Sequence, residues 1–170
     1  MKIDENIHLI RKNFTVTDEV ERYVNLYLIT GESCYLIDSG VAGSEKLVAD
    51  YMQSIGRQIT DIQGIFLTHA HPDHIGAAAE IKRRSGCEIF APAKGLSWIE
   101  NIERQFAERP IPNFFHLLSE SVHVDHPLFG EEVVECEQHI TLQAMATPGH
   151  SDDSLSYILN DRVMFITVNS

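Results

Sequence analysis

Cysteine is scarce in this 170-residue sequence: Cys34, Cys87 and Cys136 lie far apart, and no CxxC pair exists. Three such residues offer no disulfide framework, and they read as reduced, mostly buried thiols of a cytosolic protein. Long hydrophobic runs are missing too. Met1-Lys2-Ile3-Asp4-Glu5-Asn6 is followed by no apolar stretch of the kind a secretory signal needs, and no segment approaches the length that spans a bilayer. The expected location is therefore cytoplasmic, with no membrane partner. Positive charge is in short supply: 13 Lys and Arg stand against 25 Asp and Glu, a formal net charge of -12. That balance argues against nucleic acid as a partner. The single basic run, Lys82-Arg83-Arg84, reads as the solvated C-terminal end of a helix. No internal repeat and no low-complexity tract is present.

What remains is an ordinary globular composition, 44% apolar and 22% charged, in a length that suits one domain with its own core. Short apolar runs at residues 7–10, 23–29 and 34–37 predict strands, with Gly31-Glu32-Ser33 as the hairpin turn between the last two. Asp38-Ser39-Gly40 breaks the pattern. Leu47, Val48, Tyr51, Met52 and Ile55 share one face of a predicted helix over 44–55, which Ser44 can cap and Gly56 ends. A buried strand at 65–67, a helix at 75–84, a strand at 88–91 and a helix at 94–107 follow. After the irregular stretch 110–127, strands return at 132–135, 142–146, 155–159 and 163–166. Strands alternating with helices, then strands again, predict an α/β domain with mixed sheets.

The chemistry is concentrated in Thr68-His69-Ala70-His71-Pro72-Asp73-His74, which begins where the strand at 65–67 ends. Zinc takes neutral imidazole nitrogens and carboxylates. Residues two apart in extended chain point the same way, so His69 and His71 can reach a common ion. The chain then turns at Pro72, so Asp73 and His74 can face a neighbouring position. A catalytic zinc commonly has three protein ligands and an open position. His150, in Thr147-Pro148-Gly149-His150-Ser151 after a strand and a Pro-Gly turn, is the candidate third ligand.

These motifs, together with Ile37-Asp38-Ser39-Gly40, resemble the metallo-β-lactamase-fold hydrolase superfamily, including its glyoxalase II-like members. The resemblance runs from about residue 7 to 165. It implies a four-layer αββα sandwich with the metals at one edge between two sheets. It also implies that His69, His71 and His150 hold a first metal, that Asp73 and His74 serve a second, and that Asp38 holds a ligand or loop in place from behind. Zinc is the implied cofactor, with iron and manganese as alternatives. The implied chemistry is hydrolysis of a small-molecule thioester, ester or lactone, with a metal-held hydroxide that Asp73 helps to orient.

One stretch departs from the family pattern. After a Phe, the family has Gly and a metal-bridging Asp, then further elements carrying a last histidine. Here Thr167 and Val168 follow Phe165 and Ile166, and the sequence stops at Ser170. The expectation is one metal rather than two, in a single domain over 1–170 that lacks its final strand and helix through truncation or frameshift. An exposed edge strand at 163–166 would then favour a homodimer. The competing expectation is a catalytically impaired, metal-binding remnant stabilised as an oligomer. Trp98, Phe114, Phe115 and His116 are candidate pocket residues, with core packing as their alternative. His8 and His139 read as surface positions, and the His123-x-x-His126 pair has no evident partner.

Overall fold

Cys34-Tyr35-Leu36-Ile37 is buried at all four positions, because this strand has a packed layer on each face. Side chains alternate along a strand. Cys34 and Leu36 therefore join a cluster with the helix residues Val48, Met52 and Ile81, while Tyr35 and Ile37 join another with Leu142, Tyr157 and Leu159 of a second sheet. The computed structural model describes residues 1–17 and 19–165. Among them, two sheets face one another across the second cluster, and helices cover the far side of the first sheet. Each fully buried Leu or Ile at these interfaces contributes roughly 1.5–3 kcal/mol relative to exposure.

The first sheet has the order β1 (Ile7–Thr17), β2 (Val20–Thr30), β3 (Cys34–Ile37), β4 (Ile62–Phe66), β5 (Glu88–Pro92), β6 (His126–Leu128). Its first three strands are antiparallel and its last four run parallel, a mixed sheet. The second sheet is antiparallel, in the order β10 (Val163–Phe165), β9 (Leu155–Leu159), β8 (Ile140–Ala146), β7 (Val133–Glu137). The mixed α/β sandwich matches the expected class, and β10 is an edge strand among the described residues. Ile166, Thr167 and Val168 lie outside the described residues. Among the described residues three layers of that sandwich are present: Val133, Met145 and Met164 stay exposed, and no described helix residue belongs to the inter-sheet cluster. No described helix is long and apolar enough to cross a membrane.

Several elements differ from the sequence expectations. The first strand continues to Thr17, because residues 11–17 alternate exposed and half-buried in a long ribbon with β2. Polar Arg11, Lys12 and Asn13 hide that alternation in an apolar-run reading. Helix α1 (Ser44–Ser54) is capped by Gly43 at φ 86, not by Ser44, whose buried hydroxyl has no partner. The predicted helix at 75–84 is two pieces, α2 (Pro72–Ile75) and α3 (Ala78–Ser85). Gly76 at the break is wedged so tightly that a Cβ would lie 2.2 Å from the Leu117 carbonyl oxygen. The helix predicted at 94–107 also divides, into α4 (Leu96–Ile99) and α5 (Ile102–Glu108), since Asn101 accepts a hydrogen bond from the Arg104 N–H and starts a new helix. A last short helix, α6 (Phe114–Leu117), sits in the irregular stretch. His8 is buried rather than on the surface, with Nδ1 2.9 Å from the Tyr51 hydroxyl. His123 and His126 pair separately, with Glu100 and Glu88. All three cysteines are free; burial pushes the Cys34 thiol up to about 11 and Cys136 to about 12.

Candidate metal centre

Strand β4 is parallel to both neighbours, and Leu67, Thr68 and His69 follow directly from its C-terminal end. Loops at that end of parallel strands are where α/β folds place ligand groups. This stretch is held by long-range bonds. The Leu155 N–H donates to the Thr68 carbonyl at 2.8 Å, and the Tyr157 hydroxyl to the Leu67 carbonyl at 2.7 Å. His71 precedes Pro72 at the first turn of α2, where a missing N–H costs nothing. His150 arrives from the loop between β8 and β9, 79 residues after His71.

One nitrogen from each of His69, His71 and His150 lies within 4.8 Å of the others. His71 Nδ1 and His150 Nε2 are 3.1 Å apart. Tetrahedral zinc at about 2.0–2.1 Å from its ligands puts two nitrogens about 3.3 Å apart, so this pair already has the required spacing. His69 is fully buried, and its Nε2 has no hydrogen-bond partner. A buried polar atom left unmatched costs about 1–3 kcal/mol, and a cation would relieve it. Burial first, then the imidazoles of His74, His71 and His150 and the charge of Arg109, holds the pKa of His69 far below its usual range. His71 is lowered by burial as well, against the pull of Asp73. Both rings are therefore neutral near pH 7, the form that binds metal. The residues present fit a zinc ion.

A network behind the trio fixes its chemistry. Asp38 accepts from the Thr68 N–H at 2.8 Å and from the Thr68 hydroxyl at 2.8 Å. With that hydroxyl proton committed, the 3.0 Å contact between Thr68 Oγ1 and His69 Nδ1 requires His69 to donate from Nδ1. The lone pair is thereby left on Nε2. The same Asp38 carboxylate takes His74 Nδ1 at 2.8 Å. Asp38 sits at φ 62, a left-handed conformation that Asp tolerates better than most residues. Its loop is tied down by the Ser39 N–H and hydroxyl, both donating to the His74 carbonyl.

Asp73 and His74 stand beside the trio as a pair of their own, Asp73 Oδ2 lying 3.4 Å from His74 Nε2. Burial opposes charge on His74, yet Asp38 and Asp73 together raise it to about 10. Burial likewise opposes ionisation of Asp73, and its bond to His74 draws it below the usual carboxylate range. His71, Asp73, His150 and Arg22 give a cleft of about 290 Å³ its charged and imidazole lining, and Phe14, Val16, Tyr23, Ile111 and Leu117 line the rest. Trp98, Phe114, Phe115 and His116 do not line it. Phe114 is core, and Trp98 packs beneath the Arg109 guanidinium. Apolar-run reading missed the hairpin residues Phe14, Val16 and Tyr23 as wall. Their only signal is an alternation whose outer partners are polar.

Comparison with known proteins points the same way as the geometry. The family model described as the metallo-beta-lactamase superfamily matches residues 20–167. A probable metallo-hydrolase, YybB of Bacillus subtilis, is 30% identical over 132 residues, covering 77% of this chain and 54% of that protein. A hydroxyacylglutathione hydrolase of Nitrobacter winogradskyi is 27% identical over 115 residues, covering 67% of this chain and 36% of that protein. The chain thus spans about half or less of the length of these relatives. Among solved structures, a class B3 di-zinc metallo-beta-lactamase from an Alaskan soil metagenome has the same fold. Its TM-score is 0.75 at 21% identity, over 96% of this chain and 58% of that one.

Proposed function

This chain belongs to the metallo-beta-lactamase superfamily, and on that premise we propose that it is a zinc-dependent hydrolase of small thioesters, esters or lactones, with His69, His71 and His150 as the zinc ligands. The observation that carries this reading is the unpartnered, fully buried Nε2 of His69 beside two further imidazole nitrogens. Three imidazoles suit zinc better than they suit the harder manganese ion. When bound, zinc would supply a water acidic enough to be a nucleophile near neutral pH and positive charge for a carbonyl oxygen.

The protein's own groups do the rest. Asp73, ionised and lining the cleft with His71 and His150, orients the attacking water and accepts its proton. His74 keeps Asp73 ionised, and Asp38 keeps His74 and Thr68 in place. Phe14, Val16 and Tyr23 give an acyl group an apolar wall, and the cleft volume suits a small substrate. A hydroxyacylglutathione hydrolase among the relatives favours a thioester within this class. Asp73 and His74 would also be the ligands of a second, weaker metal, which must displace the proton that His74 holds between Asp38 and Asp73.

Metal analysis of the purified chain with a panel of thioesters, esters and lactones tests the reading, with His71→Ala as the control. About one equivalent of zinc and turnover that His71→Ala abolishes are expected. Zinc uptake without turnover on any substrate would instead favour a metal-binding remnant, and no uptake at all would refute the site.

A further inference from the structure

Asp153 is only 2% exposed, although it carries no aliphatic length to bury. Its Oδ2 accepts the Ala70 N–H at 2.8 Å, and its Oδ1 accepts the Ser151 hydroxyl. Ala70 lies between His69 and His71, and Ser151 directly follows His150. One buried carboxylate thus bonds to both loops that carry the three histidines. The Ala70 peptide is held from its other side as well, where the buried Gln105 side chain donates to the Ala70 carbonyl. Gly95 closes the back of the carboxylate: a Cβ there would come within 2.5 Å of Asp153 Oδ2 and 3.3 Å of Ala70 Cβ. Arg109, lying over the Trp98 ring, reaches Ser151 Oγ at 3.4 Å.

The exposed loop has little else to set its place. Pro148, Gly149 and His150 are all exposed, and a Cβ on Gly149 would meet nothing within 4 Å. Packing therefore does not decide where His150 sits relative to His69 and His71. Hydrogen bonds do: His150 Nε2 meets His71 Nδ1 at 3.1 Å, and the Asp153 carboxylate ties the peptide between His69 and His71 to the residue beside His150.

We propose that Asp153 is a positioning residue that fixes the gap between the two histidine loops, so that the tightness of metal binding depends on it. This rests on the metal-site reading above. Groups one shell behind a metal's ligands typically change its affinity about 10–100-fold when removed. Asp153→Ala loses both bonds. Asp153→Asn keeps one acceptor for the Ala70 N–H, and its amide can donate to the Ser151 oxygen. Gly95→Ala disturbs the carboxylate from behind without altering any bonding group.

Zinc affinity, measured by competition with a chromophoric chelator, and the visible absorption bands of the cobalt(II)-loaded protein test the proposal. Asp153→Ala should bind zinc about 10–100-fold more weakly and show changed cobalt bands. Gly95→Ala should move in the same direction, and Asp153→Asn should recover most of the loss. Parent affinity and parent bands in Asp153→Ala would overturn the proposal. So would a loss of folded circular dichroism shared by Asp153→Ala and Asp153→Asn while Gly95→Ala keeps parent affinity, since that marks a role in folding alone. A parent chain that takes up no metal would defeat the site reading and this proposal together. A parent that binds, beside an Asp153→Ala that binds equally, would defeat only the proposal.

Discussion

Residues 68–74 are buried at five of seven positions, while residues 147–150 are half-buried or exposed throughout. The first stretch contributes two of the three histidine nitrogens and the second contributes one. In the first, the backbone and the rings of His69 and His74 are held by Asp38, Thr68, Leu155 and Tyr157. In the second, the tip is open to water, and its position depends on a few hydrogen bonds at its base. The difference separates two tasks. The buried loop determines tautomer and charge, which must not vary. The exposed loop supplies the third nitrogen of the trio from the solvent side.

Substitutions can break this contrast. The largest effect is expected at Asp38. Asp38→Ala strips the counter-ion from buried His74 and an acceptor from Thr68, and should cost about 3–5 kcal/mol in urea denaturation of the metal-free protein. Gly76→Ala should follow. Its Cβ would meet backbone on two sides, at 2.2 Å and 2.5 Å, so a loss of about 1–3 kcal/mol is expected from the same measurement.

Acidity should separate His69 from His74, although both are in the buried loop. The folded-state pKa of His69 is depressed, so its contribution is present above the unfolded value of 6.5 and is lost as pH falls below it. His74 is raised to about 10, so its contribution is complete below 6.5 and is lost as pH climbs toward 10. Urea midpoints of the metal-free chain should therefore decline on both sides of neutrality. The acid limb should fall by up to about 1.4 kcal/mol per pH unit for each such histidine. His69→Asn should flatten the acid limb and His74→Asn the alkaline one. A stability profile unchanged by either substitution would contradict the network.

The smallest effects belong to the exposed loop. Gly149→Ala and His150→Ala should each leave the stability of the metal-free protein within about 0.5 kcal/mol of the parent. His150→Ala should nevertheless remove tight zinc binding in a chelator competition. A cost at Gly149 equal to that at Gly76 would erase the distinction between the loops.

The legibility of the molecule in its sequence follows the same division. Strand β9 and most of the histidine cluster could be read directly, because a short apolar run and closely spaced donors are local signals. The part of Asp38 could be stated only through a family resemblance, since its partners Thr68 and His74 are 30 and 36 residues away. Asp153 gave no signal at all. A carboxylate three residues past His150 looks like surface, and only the fold brings it to the Ala70 N–H, 83 residues distant. The helix at 94–107 misled for a local reason: Asn101 starts a new helix inside an otherwise continuous apolar stripe. The long β1–β2 ribbon was missed because a half-buried strand with charged outer positions resembles a loop.

The unpartnered Nε2 of His69 also couples the site to survival of the fold. A ligand that binds only the native state adds RT ln(1 + [L]/Kd) to stability, about 4 kcal/mol at a thousand times Kd. A protein that holds an unmatched lone pair inside gains this on loading, and loses it when the ion is withdrawn. Zinc supply would then set the thermal midpoint and the resistance to proteolysis of the chain, not only the fraction of molecules able to turn over substrate.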